Sequence, residues 1–117
     1  MIKCLAIDDD ALFLKLLKVF FEDIDSADLI ATYSNSVDGV MACVKQKPDV
    51  LLLDLEMPYL DGFETLETLD HPPKVIVISG HLNGMKDIEF PIDKFLSKSE
   101  VKSSDVLENA ILEVMNA

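Results

Sequence analysis

Two short runs of consecutive apolar residues set the strongest limit on how this chain can fold. Val50–Leu53 and Val75–Ile78 each contain four apolar residues in a row. Pro48 stands shortly before the first run, and Pro72-Pro73 stands before the second. A strand that has apolar side chains on both of its faces is typical of a parallel sheet that is covered by helices on both sides. The rest of the chain must therefore supply helices for two faces of one sheet.

Strand-like runs and helical patterns alternate along the remainder of the chain. The further strand-like runs are Ile2–Ile7, Leu29–Tyr33 and the short Phe95-Leu96. Helical spacing predicts helices at residues 11–23, between a cap at Asn35 or Ser36 and Pro48, at 62–69, over barely two turns between 79 and 91, and at 105–115. This order predicts an α/β fold, a single domain over residues 1–117 in which a doubly wound, parallel five-stranded sheet has helices on both faces.

Two of these helices have apolar residues at helical spacing, which we expect to face the sheet. The expected core residues are Phe13, Leu16, Leu17 and Phe20 in the first helix and Val37, Val40, Met41 and Val44 in the second.

Charge and composition exclude several classes of protein. The formal net charge is −12, from 22 acidic and 10 basic residues, all of the latter lysine, which excludes non-specific binding to nucleic acid. The longest apolar run, Val40–Val44, is too short to span a membrane, and the first residues do not resemble a signal peptide. Cys4 and Cys43 lie in apolar runs, which predicts buried, reduced thiols and a cytoplasmic protein.

Polar residues stand directly after four of the predicted strands, at the edge of the sheet where ligands of such folds bind. They are Asp8–Asp10 after the first strand, Asp54 after the third, Ser79-Gly80 after the fourth and Lys98 after the fifth. Crowded carboxylates repel one another or bind a cation, and oxygen ligands of this kind suit Mg²⁺. An aspartate in such a site can act as a nucleophile toward a phosphoryl group. Asp10 is also a good helix N-cap, and we expect it to act as a cap rather than as a metal ligand.

The same residues give the chain a resemblance to the receiver domain of two-component response regulators. The matching segments are the acidic run of Ile7–Asp10, the D-x-x-M-P-x-x-D-G pattern of Asp54–Gly62, the Val75–Gly80 strand with its terminal hydroxyl, and Phe95–Lys98. Together they cover essentially the whole chain in the expected order. The resemblance implies a flavodoxin-like, CheY-like fold of five βα units, here with a shortened fourth helix.

The resemblance also implies a role for each site residue. Asp54 matches the phosphoacceptor, which takes a phosphoryl group from a histidine kinase or a histidine phosphotransfer protein. Asp9 matches the residue that binds Mg²⁺ directly, Asp8 matches the neighbour that reaches the ion through water, and the backbone carbonyl of Glu56 matches the remaining protein ligand. Lys98 matches the lysine that pairs with a phosphate oxygen.

Other positions match the parts of a receiver that respond to phosphorylation. Ser79, followed by Gly80, matches the hydroxyl that turns toward the phosphoryl group, and Phe95 matches the aromatic residue that moves with it. Glu56 and His81 match positions that tune the lifetime of the acyl phosphate.

The chain departs from the receiver pattern in three ways. Ser99 follows Lys98, where receivers typically have a cis proline, so we expect a trans bond or an altered loop here. Phe95 lacks the hydroxyl of the commoner tyrosine, and the interval from Ser79 to Lys98 is short. These departures put in doubt the face that many regulators use to dimerise, so the sequence leaves a homodimer open.

Leu14 and Phe21 lie off the main stripe of the first helix, near Lys15 and Lys18. Two readings are open for them. They form either a docking patch for a kinase or phosphotransfer partner, or a peripheral part of the core.

Two other functions compete with that of a phosphoacceptor receiver, which would not be a turnover enzyme. A degenerate receiver would act only as a protein-interaction module. A phosphatase of the haloacid-dehalogenase type would use Asp8 as its nucleophile, with Asp10 completing a D-x-D motif, although the chain is short for that class. Any downstream effector, output domain or DNA contact would lie on another domain or protein.

Overall fold

A computed structural model of the chain describes residues 1–57, 63–80 and 91–117. Five strands form one parallel sheet in the order β2-β1-β3-β4-β5. They are β1 (Ile2–Ile7), β2 (Ala27–Tyr33), β3 (Val50–Leu53), β4 (Lys74–Ser79) and β5 (Lys94–Ser97). This order confirms the predicted doubly wound α/β fold, and its topological switch point lies between β1 and β3.

Three α-helices flank the described part of the sheet, namely α1 (Ala11–Glu22), α2 (Ser36–Gln46) and α3 (Ser104–Met115). The third predicted helix is a 3₁₀ segment at Phe63–Thr68, and a second 3₁₀ turn, Lys98–Glu100, follows β5. The predicted short fourth helix lies outside the described residues. Among the helices that are described, none has the length and apolar character needed to cross a membrane.

Alternate residues of the strands point into two separate cores. Val50 and Leu52 of β3 pack on the side of α1 and α3, whereas Leu51 and Leu53 pack on the side of α2. All four side chains are at most 2% exposed. The burial of β3 on both faces explains why its sequence is apolar throughout.

The buried face of α1 differs from the predicted stripe by about one position. Leu14 and Phe21 are each 8% exposed and belong to the core, whereas the predicted core residue Leu16 is 40% exposed. Phe13 and Leu17 are buried as predicted, and Phe20 is partly buried. Of the two readings of Leu14 and Phe21, the structure supports the core one, because side chains that are buried here cannot form a docking patch.

The prediction for the buried face of α2 was wrong for three of its four residues. Val37, Met41 and Val44 are 63%, 52% and 44% exposed, and Val40 is only partly buried. The residues that face the sheet are Ser36, Gly39, Ala42 and Cys43. Their small side chains let the helix backbone lie close to β1, and a Cβ atom at Gly39 would collide with the side chain of Ile7. Close approach, rather than hydrophobicity, decides which face of α2 is buried.

Cys4 and Cys43 are buried and unpaired, as predicted. Burial raises the pKa of each thiol to about 12, with nearby carboxylates adding to the shift at Cys4. Both thiols therefore stay protonated and unreactive at neutral pH.

Candidate functional site

The carboxyl ends of four strands bring the candidate residues to one edge of the sheet. Asp8 directly follows β1 and Asp54 directly follows β3, and these two strands are neighbours. The backbone N–H of Asp54 donates to the carbonyl of Ile7 at 3.0 Å, which continues the pairing of the strands up to the site. Ser79 ends β4, and Lys98 follows β5.

Three carboxylates form the centre of this site. Asp8, Asp9 and Asp54 each offer an oxygen atom, and these atoms all lie within 4.8 Å of one another. Asp8 and Asp54 are only 3% and 2% exposed, whereas Asp9 is exposed to solvent. Hard oxygen ligands at this spacing, with one open side, suit a divalent cation such as Mg²⁺ that keeps several waters.

Each buried carboxylate is oriented by a backbone N–H two residues further along the chain. The N–H of Asp10 donates to Asp8 Oδ1 at 2.8 Å, and the N–H of Glu56 donates to Asp54 Oδ1 at 3.0 Å. The second oxygen of each carboxylate is the one that contacts Lys98. The loops after β1 and β3 therefore present their aspartates in the same way.

Lys98 is the cationic partner of this cluster. Its Nζ lies 2.9 Å from Asp8 Oδ2, 3.5 Å from Asp54 Oδ2 and 3.6 Å from Asp10 Oδ2. The Phe13 ring of α1 lies below it, with its centroid 4.8 Å from Nζ, at a distance where a cation and a ring attract one another. Desolvation lowers the pKa of Lys98, but the hydrogen bond to Asp8 and the surrounding negative charges outweigh it, so the pKa is raised.

Burial has the opposite effect on the pKa of Asp8. It raises the pKa of this carboxyl from 3.8 to about 6, and the hydrogen bonds from Asp10 and Lys98 only partly oppose the shift. The negative charge of Asp54 adds to it. A bound cation would favour the ionised form of Asp8 and so oppose this shift.

Ser79 is the one buried side chain among the described residues whose polar atom has no hydrogen-bond partner. Its hydroxyl is fully buried at the end of β4, the strand that pairs with β3, which Asp54 follows. An unsatisfied buried hydroxyl costs free energy, which a new acceptor at this edge would recover.

The other residues predicted for the site are Glu56, Gly80, Phe95 and His81. A Cβ atom at Gly80 would lie 3.3 Å from Glu56 Oε1, so the Glu56 side chain approaches the strand end where Ser79 lies. Phe95 is 43% exposed on β5. His81 lies outside the described residues.

Asp10 acts as a helix cap, as its sequence position predicts. Its Oδ1 accepts hydrogen bonds from the N–H groups of Leu12 and Phe13 at 3.1 and 3.3 Å. The other carboxylate oxygen faces Lys98 from a greater distance than Asp8 does.

Two features of the site were missed in the sequence. The first is the Phe13 ring beneath Lys98, for which the sequence carries no signal beyond a core position. The second is the 3₁₀ turn after β5, in which Glu100 Oε1 accepts a hydrogen bond from the N–H of Ser97 at 2.9 Å. The spacing S-x-x-E from Ser97 to Glu100 is a capping pattern and could have indicated it. The bond between Lys98 and Ser99 is trans, as expected.

The family follows from a comparison of the whole chain with known proteins. Residues 4–111 match the family described as the response regulator receiver domain. The chain belongs to this family. The transcriptional regulatory protein BtsR of Escherichia coli (strain K12) is 37% identical over 81 residues, which are 68% of this chain and 34% of that protein. The matched part of the chain spans between 22% and 34% of the length of these curated relatives.

Solved structures show the same fold. The signal receiver domain of the response regulator NarL from Mycobacterium tuberculosis aligns with a TM-score of 0.82 at 21% identity, covering 96% of this chain and 94% of that one. A structure of the P1 domain of CheA3 in complex with CheY6 from R. sphaeroides aligns with a TM-score of 0.77 at 22% identity, covering 98% of this chain and 97% of the matched chain.

Proposed function

We propose that residues 1–117 form one phosphoacceptor receiver domain and that Asp54 accepts the phosphoryl group. The observation that carries this proposal is the convergence of Asp54, two further carboxylates and Lys98 at the switch point of the sheet. Asp54 is held by the Glu56 N–H and faced by one ammonium group. It is therefore a nucleophile held in place beside a group that can offset the charge of an incoming phosphate.

In the reaction, a carboxylate oxygen of Asp54 attacks the phosphorus of a phosphohistidine. A P–O bond forms, the P–N bond breaks, and the leaving imidazole nitrogen takes a proton from solvent. Asp8 and Asp9, with the Asp54 carboxylate and the Glu56 carbonyl, would hold Mg²⁺, which offsets the charge of the phosphoryl oxygens when bound. Lys98 then pairs with a phosphoryl oxygen in place of Asp54.

We assign the response to this acyl phosphate to Ser79, Gly80 and Phe95. The Ser79 hydroxyl is buried without a hydrogen-bond partner, so a phosphoryl oxygen on Asp54 gives it a new acceptor. Movement of Ser79 opens space at the end of β4, into which the exposed Phe95 ring can pack. The switch is then a choice between two packings of one strand end. Glu56, which approaches Gly80, and His81 tune the lifetime of the acyl phosphate.

The phosphoryl donor in this proposal is a histidine kinase or a histidine phosphotransfer protein. The face of α1 that such a donor would contact begins next to the site and carries Leu12, Leu16 and Val19, which are 77%, 40% and 54% exposed. These residues replace Leu14 and Phe21 as the docking patch. One of the structural neighbours comes from a complex of the P1 domain of CheA3 with CheY6.

The proposed domain changes conformation rather than turning over a substrate. A haloacid-dehalogenase-type phosphatase would need Asp8 as nucleophile and a free Asp10 in its D-x-D motif, but Asp10 caps α1. The net charge of −12 keeps this domain off nucleic acid, so a DNA-binding output would be a separate domain or protein.

The test is to incubate the protein with Mg²⁺ and acetyl phosphate and to locate the acyl phosphate by mass spectrometry after borohydride trapping. We expect one phosphoryl group on Asp54, no adduct after chelation of Mg²⁺, and no adduct in Asp54→Asn. The matched control is Asp49→Asn, which changes an aspartate at the opposite end of β3. Phosphorylation at Asp8 would favour the phosphatase, and no adduct under any condition would favour a pure interaction module.

A further inference from the structure

The turn after β5 determines where the Lys98 side chain begins. Residues Lys98–Glu100 form one 3₁₀ turn, and the Glu100 side chain reaches back across it to the backbone N–H of Ser97 at 2.9 Å. We propose that Glu100 is a positioning residue, which fixes this turn so that the Lys98 ammonium group faces Asp8 and Asp54. The proposal rests on the proposed function, since it concerns the lysine of that site.

Three contacts close the turn around the Lys98 backbone. The Glu100 carboxylate accepts a hydrogen bond from the N–H of Ser97, the residue before Lys98. The hydroxyl groups of Ser97 and Ser99, which flank Lys98, lie 2.9 Å apart. The N–H of Val101 donates to the carbonyl of Lys98 at 3.3 Å. Because the turn is made of only three residues, the loss of its side-chain tie frees the backbone torsions that aim the lysine.

The charge state of Glu100 fits this role. The hydrogen bonds from the backbone and side chain of Ser97 lower the pKa of the Glu100 carboxyl, so the bound form is the carboxylate. Glu100 itself is exposed, and the ion pairs of Lys98 among the described residues are with Asp8, Asp10 and Asp54. Glu100 acts on the site through the backbone of Lys98 and does not touch the reacting atoms.

A long, flexible side chain needs such a tie. Lysine loses more rotamer freedom than most residues when it is held in one place. The Lys98 ammonium is 4.8 Å from the centre of the Phe13 ring and 2.9 Å from Asp8, and both contacts depend on the direction in which the side chain leaves β5. A turn that is fixed in advance leaves less of this freedom to be lost when the phosphoryl group arrives.

The experiment compares Glu100→Ala and Glu100→Gln with Glu113→Ala. Glu113 is a matched control because it is an exposed glutamate whose carboxylate pairs at 2.8 Å with Lys94 of β5, the strand that Lys98 follows. In Glu100→Ala we expect the rate of phosphorylation by acetyl phosphate to fall roughly three- to tenfold. Mg²⁺ affinity should stay within about twofold, since the proposed ligands are untouched. Glu100→Gln keeps an oxygen acceptor and should restore the rate.

A second readout works without phosphorylation. The nuclear Overhauser contacts between the Lys98 ε-protons and the Phe13 ring should weaken in Glu100→Ala and persist in Glu100→Gln and Glu113→Ala. If these contacts persist in Glu100→Ala, or if Glu100→Gln loses them equally, the positioning role is wrong. A wild-type protein that forms no acyl phosphate defeats the proposed function instead, while the ring contacts still decide the role of Glu100.

Discussion

Lys98 Nζ lies 2.9 Å from Asp8 Oδ2, although two strands separate the elements that carry these residues. The lysine follows β5, at one edge of the sheet, and its side chain passes over the ends of β4 and β3 to reach the aspartate that follows β1. On its way it also contacts Asp54, at 3.5 Å. One ammonium group thus offsets the charge of two carboxylates that are almost completely buried, so this shared ion pair should contribute to the stability of the fold.

Removal of the Lys98 charge should destabilise the protein in the absence of metal. Lys98→Met leaves Asp8 and Asp54 without their cation, and breaking a largely buried pair from one side is costly. We expect the free energy of unfolding to fall by about 1 to 3 kcal/mol, because Asp8 can take up a proton and relieve part of the strain. Urea unfolding at neutral pH measures this change.

Lys94→Met is the control for this prediction. Lys94 lies on β5, the strand that Lys98 follows, and pairs with Glu113 at 2.8 Å, but the Glu113 side chain is 65% exposed. Such a pair contributes less than about 1 kcal/mol. Saturating Mg²⁺ should restore most of the stability of Lys98→Met, because the ion replaces the lost positive charge. Equal losses in the two variants would contradict the shared ion pair.

Mg²⁺ binding should weaken as the pH falls through about 6. The pKa of Asp8 in the folded protein is raised to about 6 by burial, and a proton on this carboxyl competes with the metal. Below that pH the affinity should fall by up to about tenfold per pH unit. Isothermal titration calorimetry between pH 5 and pH 8 would detect it, and Asp8→Asn should abolish this pH dependence along with most of the affinity.

The same pKa has an opposite effect on the stability of the metal-free protein. The folded protein binds the Asp8 proton more tightly than the unfolded chain does, because its pKa is about 6 rather than 3.8. The contribution of Asp8 to stability is therefore fully present below about pH 4 and is lost as the pH rises to about 6. Asp8→Asn removes this loss, so the metal-free variant should be more stable than wild type at pH 7 and should show a flatter pH profile.

Asp9 and Asp10 are adjacent after β1, and we expect Asp9 to act as a metal ligand and Asp10 as a helix cap. Asp10→Ala removes the acceptor for the N–H groups of Leu12 and Phe13, and the loss of such a cap costs about 1 kcal/mol. Asp9→Ala removes an exposed carboxylate, so stability should change by less than about 0.5 kcal/mol while Mg²⁺ affinity falls at least about tenfold. Thermal unfolding and calorimetry on both variants measure the two effects, and a larger loss of Mg²⁺ affinity in Asp10→Ala would exchange the assignments.

The sequence predicts which residues meet at the ends of the strands better than it predicts the outer layer of the fold. Asp8, Asp54, Ser79 and Lys98 lie at or just after the carboxyl ends of strands, and the geometry of a parallel sheet brings such residues to one edge. The ion pairs themselves could not be predicted, since they depend on how far the Lys98 side chain extends. The largest apolar side chains of α2 were predicted to form its buried face, but the buried residues are Gly39 and other small residues. The spacing of apolar residues along the sequence does not indicate where a helix backbone approaches a strand closely.

Gly39→Ala tests why α2 has this orientation. The added methyl group would collide with Ile7 in the centre of the core between α2 and the sheet. We expect a loss of about 1 to 3 kcal/mol, as for other overpacked cores, even though alanine favours helix formation. Val37→Ala on the exposed face is the control and should change stability by less than about 0.5 kcal/mol. A stabilised Gly39→Ala would show that α2 does not pack on β1 through this residue.

The two faces of α1 should respond differently to the same substitution. Leu14 is 8% exposed within the core, so Leu14→Asp buries a charge and should cost about 3 kcal/mol or more. Leu12 is 77% exposed, so Leu12→Asp should leave both stability and phosphorylation by acetyl phosphate unchanged.

If α1 is where the phosphohistidine donor docks, Leu12→Asp should slow transfer from a phosphorylated histidine phosphotransfer domain that loads the wild-type protein, by roughly tenfold for the loss of a central apolar contact. Rapid-quench transfer assays measure this rate. Wild-type transfer by Leu12→Asp and also by Val19→Asp would exclude the outer face of α1 as the docking surface, without affecting the assignment of Asp54.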